Sequence, residues 1–187
     1  GESGGHSVKE TSDGKYVFSG SLDSDILYGK VSSSAGIPNF DWTKTRSNTY
    51  QGKSIALTND GGYIIVGQGD SKVYMIKTNN SGDIEWDGVH FDSVIGSSGH
   101  TANDVIQTSD GGYLIAGDNG KAFLLKMNSA GGWEWSKIYN SADPTSFFYS
   151  VEKTDDGGYI AVGELRTASS DGSGDGYAVK TNASGDM

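Results

Sequence analysis

Cysteine is absent from this chain, which removes a disulfide framework, a thiolate metal site and a cysteine nucleophile together. Only two prolines occur in 187 residues. The three histidines, His6, His90 and His100, do not fall at metal-ligand spacing. Basic side chains are outnumbered, 14 Lys and Arg against 24 Asp and Glu, for a formal charge of -10. Such a surface repels a phosphate backbone and an anionic bilayer, so nucleic acid is not an expected partner. No apolar run approaches the roughly twenty residues of a membrane helix, and membrane insertion is not expected. H-E-x-x-H and the phosphate-binding G-x-x-x-x-G-K-[ST] loop are missing, and the G-x-S-x-G letters at 1–5 precede no helical segment with which to form a nucleophile elbow. No catalytic residue is therefore nominated, and the chain is read as a non-enzyme. Carboxylates abound, but order along the chain cannot pick out a glycosidase-like pair.

What is present is repetition. The phrase TSDGGYLIAG at 108–117 returns as TNDGGYIIVG at 58–67, TDDGGYIAVG at 154–163 and TSDGKYVFSG at 11–20. Measured between Tyr16, Tyr63, Tyr113 and Tyr159, the spacings are 47, 50 and 46 residues. That period suits a blade of four short strands, a unit that buries its apolar face only by stacking on copies of itself.

Each copy resolves into four runs. The first carries a β-branched residue (Val8, Ile55, Val105, Val151) and ends in Asp-Gly, a strong hairpin signal. The second, as at 63–67 or 113–117, is unbroken apolar and predicts a strand covered on both faces. The third closes with a lysine in every copy: Lys30, Lys77, Lys126 and Lys180. The fourth, IEWD at 84–87 or WEWS at 133–136, alternates apolar and polar like an outer strand half in water. No segment has helical periodicity. The predicted fold class is all-β: a β-propeller of four-stranded antiparallel blades at about 6–45, 53–91, 103–140 and 149–187, forming one domain. With 34% hydrophobic and 11% aromatic residues the chain can build such a core.

A second phrase joins the third and fourth runs: KTNNSGDIEW at 77–86 and KMNSAGGWEW at 126–135, with a longer KVSSSAGIPNFDW at 30–42. Its Gly–Trp spacing resembles the tryptophan-docking turn of quinoprotein-like propellers. The whole unit resembles secreted bacterial and archaeal β-propeller repeats with GGYIVAG-like and K-x-N-x-x-G-x-x-x-W phrases. That resemblance implies an extracellular or cell-surface location, in keeping with a Gly-, Ser-, Asn- and Thr-rich composition. It specifies fold and leaves function open, since propellers host enzymes, lectins and scaffolds alike. Quinoproteins, by the same resemblance, hold their cofactor with a disulfide and Ca²⁺. A chain without cysteine is not expected to carry one. Trp42, Trp86 and Trp135 have two readings, as wedges between blades or as sugar-stacking platforms.

The four copies can be compared with one another. The end bearing the DGG and Asn-Gly turns is nearly uniform. The opposite end varies: SLDSD (21–25), QGDSK (68–72), DNGK (118–121) and ELRTASSDGSGDG (164–176), with inter-blade connections that vary too. Variable loops on a constant scaffold are either a binding face or simple drift. On the first reading the contact groups are Arg46, Tyr50, His100, Phe147, Phe148, Tyr149 and Arg166, because aromatics and arginine are favoured at interfaces. The partner would be a protein or a cell-surface glycan, and a lectin-like or glycan-active propeller is the alternative. Asp171 and Asp175, in SSDGSGDG, form a candidate calcium loop without full EF-hand ligand order, or a solvated loop. No other cofactor is expected.

The chain opens at Gly1 and reads as an excised piece. Lys77 and Lys126 are each followed nine residues later by a docking Trp, but Lys180 is seven residues from Met187. Blade four is thus expected to lack its outer strand, leaving a raw edge at 176–181. Further blades of a longer chain, or a strand from another molecule, are expected to cover that edge.

Overall fold

The computed structural model describes residues 3–34, 37–47, 50–69, 72–90, 99–139, 145–166 and 174–187. Every regular element among them is a β-strand. Blade one holds β1 (Ser3–Glu10), β2 (Tyr16–Leu22), β3 (Asp25–Ser34) and β4 (Ile37–Arg46). Blade two holds β5 (Tyr50–Leu57), β6 (Tyr63–Gly69), β7 (Lys72–Thr78) and β8 (Ile84–His90). Blade three holds β9 (Thr101–Gln107), β10 (Tyr113–Asp118), β11 (Ala122–Met127) and β12 (Trp133–Ile138). Blade four holds β13 (Thr145–Lys153), β14 (Tyr159–Arg166) and β15 (Asp175–Thr181). Each blade is an antiparallel meander in chain order, and only the last has three strands. Contacts divide the chain into two compact units, Gly1–His90 with blades one and two and Phe91–Met187 with blades three and four.

The repeated phrase is now explicable residue by residue. In TNDGGY, the Thr58 hydroxyl donates to Asp60 Oδ1 (2.5 Å), which also accepts the Gly62 amide (2.9 Å). Thr58 N then bonds the Gly62 carbonyl (3.0 Å), and Gly61 completes the turn at φ +82°, where a side chain would be strained. The turn is a Thr-anchored loop rather than a two-residue hairpin. The apolar run that follows is buried along almost all of β6 and β10, as expected of a strand covered on both faces.

The last glycine of the phrase answers an irregularity invisible in the sequence. Each first strand carries a bulge: His6, Lys53, Asn103 and Tyr149 are the extra residues, opposite the glycine of the second strand. The bulge brings a carbonyl against Gly20, Gly67, Gly117 and Gly163, so close that a Cβ there would overlap Gly4 O, Gln51 O, Thr101 O and Phe147 O respectively. Strand pairing continues past the bulge. The first strands accordingly begin at residues 3, 50, 101 and 145, earlier than the blade boundaries expected at 6, 53, 103 and 149. The β-branched residues from which the first strands were read, Val8, Ile55, Val105 and Val151, all lie after the bulge and give no sign of the pairing that precedes it.

The lysine closing each third strand turns back to the aspartate of its own DG turn. Lys30 reaches Asp13 (3.0 Å), Lys77 Asp60 (2.8 Å) and Lys126 Asp110 (2.9 Å), and Lys180 pairs with Asp156. In blades two and three a second carboxylate from the outer strand joins, Glu85 (2.7 Å) and Glu134 (2.7 Å), and the lysines are only 3% exposed. Burial opposes ionisation of Asp60 and Asp110. The lysine ammonium and the threonine hydroxyl outweigh it and bring both down to about 2. Burial likewise disfavours the charged form of Lys77 and Lys126, but their carboxylates leave both pKa values raised.

A pH dependence follows. An unfolded aspartate titrates near 3.9. The stabilisation from Asp60 and Asp110 is therefore complete above about pH 4 and lost as pH falls toward 2. On the alkaline side the lysine contribution is complete below the ordinary 10.5 and is lost as pH rises from there through the raised values of Lys77 and Lys126. Urea midpoints measured between pH 4 and pH 2 should fall more steeply in the wild type than in Asp60→Asn/Asp110→Asn. Parallel slopes would show that these pairs contribute nothing.

Within each unit the blades are joined by the same three devices. The bulge residue bonds the backbone of the next first strand: the Gly52 carbonyl accepts from His6 Nδ1 (2.8 Å), and the Phe148 carbonyl from Asn103 Nδ2 (2.8 Å). The outer-strand tryptophan lies on the glycine of the next blade's Asn-x-x-Gly turn. A Cβ on Gly82 would stand 2.6 Å from Trp42, and one on Gly185 2.7 Å from Trp135. A tyrosine hydroxyl reaches that glycine's carbonyl, Tyr28 to Gly82 (3.3 Å) and Tyr139 to Gly185 (2.7 Å). Lys44–Asp83 and Lys137–Asp186 add ion pairs over the same turns. Trp42 packs against a core of Val17, Ile26, Tyr28, Ile55, Tyr63 and Ile65, and Trp135 against Leu124, Tyr139, Phe148 and Tyr159. Trp86 stands opposite Lys77 in register and is half-buried.

Blade four pairs β15 with β14, Tyr159↔Thr181 through Leu165↔Asp175. No described strand of this chain lies along its other edge. The Asn182 turn that would lead into an outer strand is formed, with Asn182 Oδ1 accepting the Ser184 and Asp186 amides (2.9 Å each).

Candidate functional site

The strand order places the start of each first strand beside the end of the second, next to the variable second-to-third loops. In blade four this edge carries a connected set of chemically rich side chains. Phe147 and Tyr149 present nearly parallel rings, centroids 6.1 Å apart at 12°. The Arg166 guanidinium carbon lies 4.9 Å from the Phe147 ring centroid, a cation–π contact. Glu164 ties the group together. Its Oε1 accepts from Arg166 Nε (2.7 Å), and its Oε2 from Arg166 Nη2 (3.2 Å) and the Tyr149 hydroxyl (2.7 Å).

Backbone geometry creates the cluster. Phe147 and Glu164 are cross-strand partners, Thr145 faces Arg166, and Tyr149 is the bulge residue, re-aimed at the rim of the sheet. Arg166 and Tyr149 hold the Glu164 carboxyl below its ordinary range, and the hydrogen bond to Glu164, with burial, raises Tyr149. Tyr149 and the Arg166 side chain nevertheless remain about half exposed, at 49% and 51%. Behind them Asn103 links Asp118 (3.2 Å) to the Phe148 carbonyl, and burial pushes the Asp118 carboxyl up.

The structure therefore brings three of the seven expected contact residues together: Phe147, Tyr149 and Arg166. Two others are corrected. His100 and Phe148 are fully buried, His100 edge-on to Phe123 (6.1 Å) and Phe148 stacked on Tyr177 (5.6 Å, 7°) and beside Tyr139 (5.5 Å). Phe148 points inward because alternate residues of a strand face opposite sides, so an FFY run cannot present all three rings. Arg46 belongs to the other unit. There it donates to Asp87 Oδ2 (2.5 Å), which also accepts from the Tyr74 hydroxyl (2.5 Å), and burial with Asp87 pushes Tyr74 up to about 12. Tyr50 opens β5 opposite Gly69.

Of the candidate calcium ligands, Asp171 lies outside the described residues. Asp175 begins β15 opposite Leu165 and is exposed. Among the described residues no three His, Asp or Glu side chains converge to hold a metal. Glu164 and Asn103 were missed by sequence reasoning. Glu164 had one available signal, its place immediately after the repeat's last glycine, where the copies stop resembling one another.

No family model matches this chain, and no curated protein sequence does. Solved structures do resemble it. A protein of unknown function from Bacteroides caccae aligns over 97% of this chain and 62% of its own length, at TM-score 0.58 and 13% identity. YCF48 from Cyanidioschyzon merolae aligns over 84% of this chain and 47% of its own, at TM-score 0.51 and 14% identity. The chain thus spans less than two thirds of either structure, and identities this low speak to fold alone. The fold they share with it is built of β-propeller blades, four of them here, the last without its outer strand.

Proposed function

We propose that this chain is a non-enzymatic binding module of the secreted or cell-surface propeller-repeat kind, whose contact face is the variable-loop end. The observation that carries this reading is the Phe147–Tyr149–Glu164–Arg166 cluster. Aromatic and arginine side chains, held in place by a shared carboxylate yet half open to water, make an anchor for a protein partner. Pre-ordering them lowers the entropy lost on binding. A cell-surface glycan is the alternative partner, and the net charge of -10 disfavours nucleic acid. The edge of β15 that no described strand of this chain covers is a second surface of a different kind, suited to strand addition in assembly.

The test is saturable binding of labelled protein to intact cells of the source organism, before and after surface proteolysis, alongside a glycan array. Tyr149→Ala/Arg166→Ala should weaken cell binding by roughly tenfold or more, with an unchanged melting temperature. Undiminished binding by this variant would overturn the assignment of the face. Protease-resistant binding together with a positive array would transfer the partner to the glycan class.

A further inference from the structure

Blade one departs from its sister blades at the buried lysine. In blades two and three, Lys77 and Lys126 each spend their donors on two carboxylates and a backbone carbonyl, Thr78 O (2.9 Å) or Met127 O (3.2 Å). The second carboxylate is the bulged residue before the tryptophan, Glu85 or Glu134. In blade one that residue is the shorter Asp41, and a lysine, Lys15, stands where the other blades have Gly62, Gly112 and Gly158. Lys15 draws Asp41 away to a 2.5 Å pair. Lys30 keeps Asp13 (3.0 Å), and it is 14% exposed against 3% for its counterparts.

Lys30 also lines a cavity of about 440 Å³ between blades one and two, within the roughly 300–1,000 Å³ range of small-ligand pockets. Its wall carries Ser12, Asp13, Lys30, Asn59, Tyr63 and Asn80, one cation and one anion among neutral hydroxyl and amide groups. We propose that this cavity binds a carboxylate on a polyhydroxylated frame, a sugar acid or uronic acid. The ligand carboxylate pairs with Lys30 as Glu85 and Glu134 pair with Lys77 and Lys126, and the wall hydroxyls and amides take its hydroxyl groups. One ammonium between two carboxylates is the arrangement this fold already uses twice, so Asp13 does not forbid it. The site shares no residue with the blade-four cluster and does not depend on the function proposed for it.

The test is an amide-resolved NMR titration of the whole chain with sodium D-glucuronate, a di-uronate and D-glucose. Saturable shifts at Asp13, Asn59, Gly62 and Asn80 are expected with the acids and not with glucose. Tighter binding of the di-uronate assigns the ligand to a glycan, and tighter binding of the monomer to a free sugar acid. Lys30→Met should weaken binding roughly ten- to a hundredfold, as expected for losing a hydrogen bond to a charged group. Lys15→Gly/Asp41→Glu, which rebuilds the sister-blade arrangement and leaves Lys30 in place, should fold normally and lose binding to the same degree. Equal response to glucose, no saturable shift with either acid, or full binding by the double variant would overturn the proposal.

Discussion

Gly117→Ala is expected to cost about 3 kcal/mol or more, at the top of the range for overpacking. The added methyl would overlap the Thr101 carbonyl oxygen and stand 2.8 Å from Phe123 Cζ. The carbonyl is backbone held by the bulge of β9, so it cannot swing aside as a side chain would. Phe123 is fully buried and has nowhere to retreat. Gly88→Ala is the control, because a Cβ there meets nothing within 4 Å. It should move stability by no more than about 0.5 kcal/mol. Urea unfolding of both variants measures the difference, and equal costs would refute the role assigned to the bulge.

The second large effect separates two tryptophans of one strand. Trp135→Ala should cost about 3 kcal/mol, since truncation empties the space between Tyr139, Gly185 and the core of Leu124 and Phe148. Trp133, two residues earlier, is 55% exposed, and Trp133→Ala should cost no more than about 0.5 kcal/mol. A Trp135→Ala variant as stable as the wild type would mean that the ring lies on the surface as a platform. Of the two readings open at the level of sequence, the packing of Trp42 and Trp135 on Gly82 and Gly185 favours the wedge.

These cases also mark what could be read from residues. The DGG turns, the doubly covered strand and the closing lysine were legible because each rests on local chemistry: a left-handed glycine, an apolar run, a charge at a fixed offset. Aspartate and lysine were both visible as repeated letters, yet their pairing was not, because Lys77 and Asp60 meet only when the second and third strands fold back. The bulge left no trace, since the β-branched residue and the Asp-Gly turn by which each first strand was recognised both lie after it. It hid the true start of β13 and with it the facing of FFY at 147–149. His100 was expected at the surface from its place in a variable inter-blade connection, but its environment is made by Phe123, 23 residues further along the chain, which no local signal encodes.

The meander has a kinetic consequence. Every described strand pairs only with its neighbours in sequence. The contacts that lock one blade to the next also span similar distances along the chain, 46 residues for His6–Gly52, 45 for Asn103–Phe148, 46 for Tyr139–Gly185 and 54 for Tyr28–Gly82. Loop-closure entropy grows only with the logarithm of such a distance, so each docking step faces nearly the same search. Pairings local to a blade also keep contact order low for an all-β chain. Refolding should therefore advance blade by blade, with hairpins closing first and the tryptophan settling last. Each finished blade offers its neighbour a template before the rest of the chain has ordered.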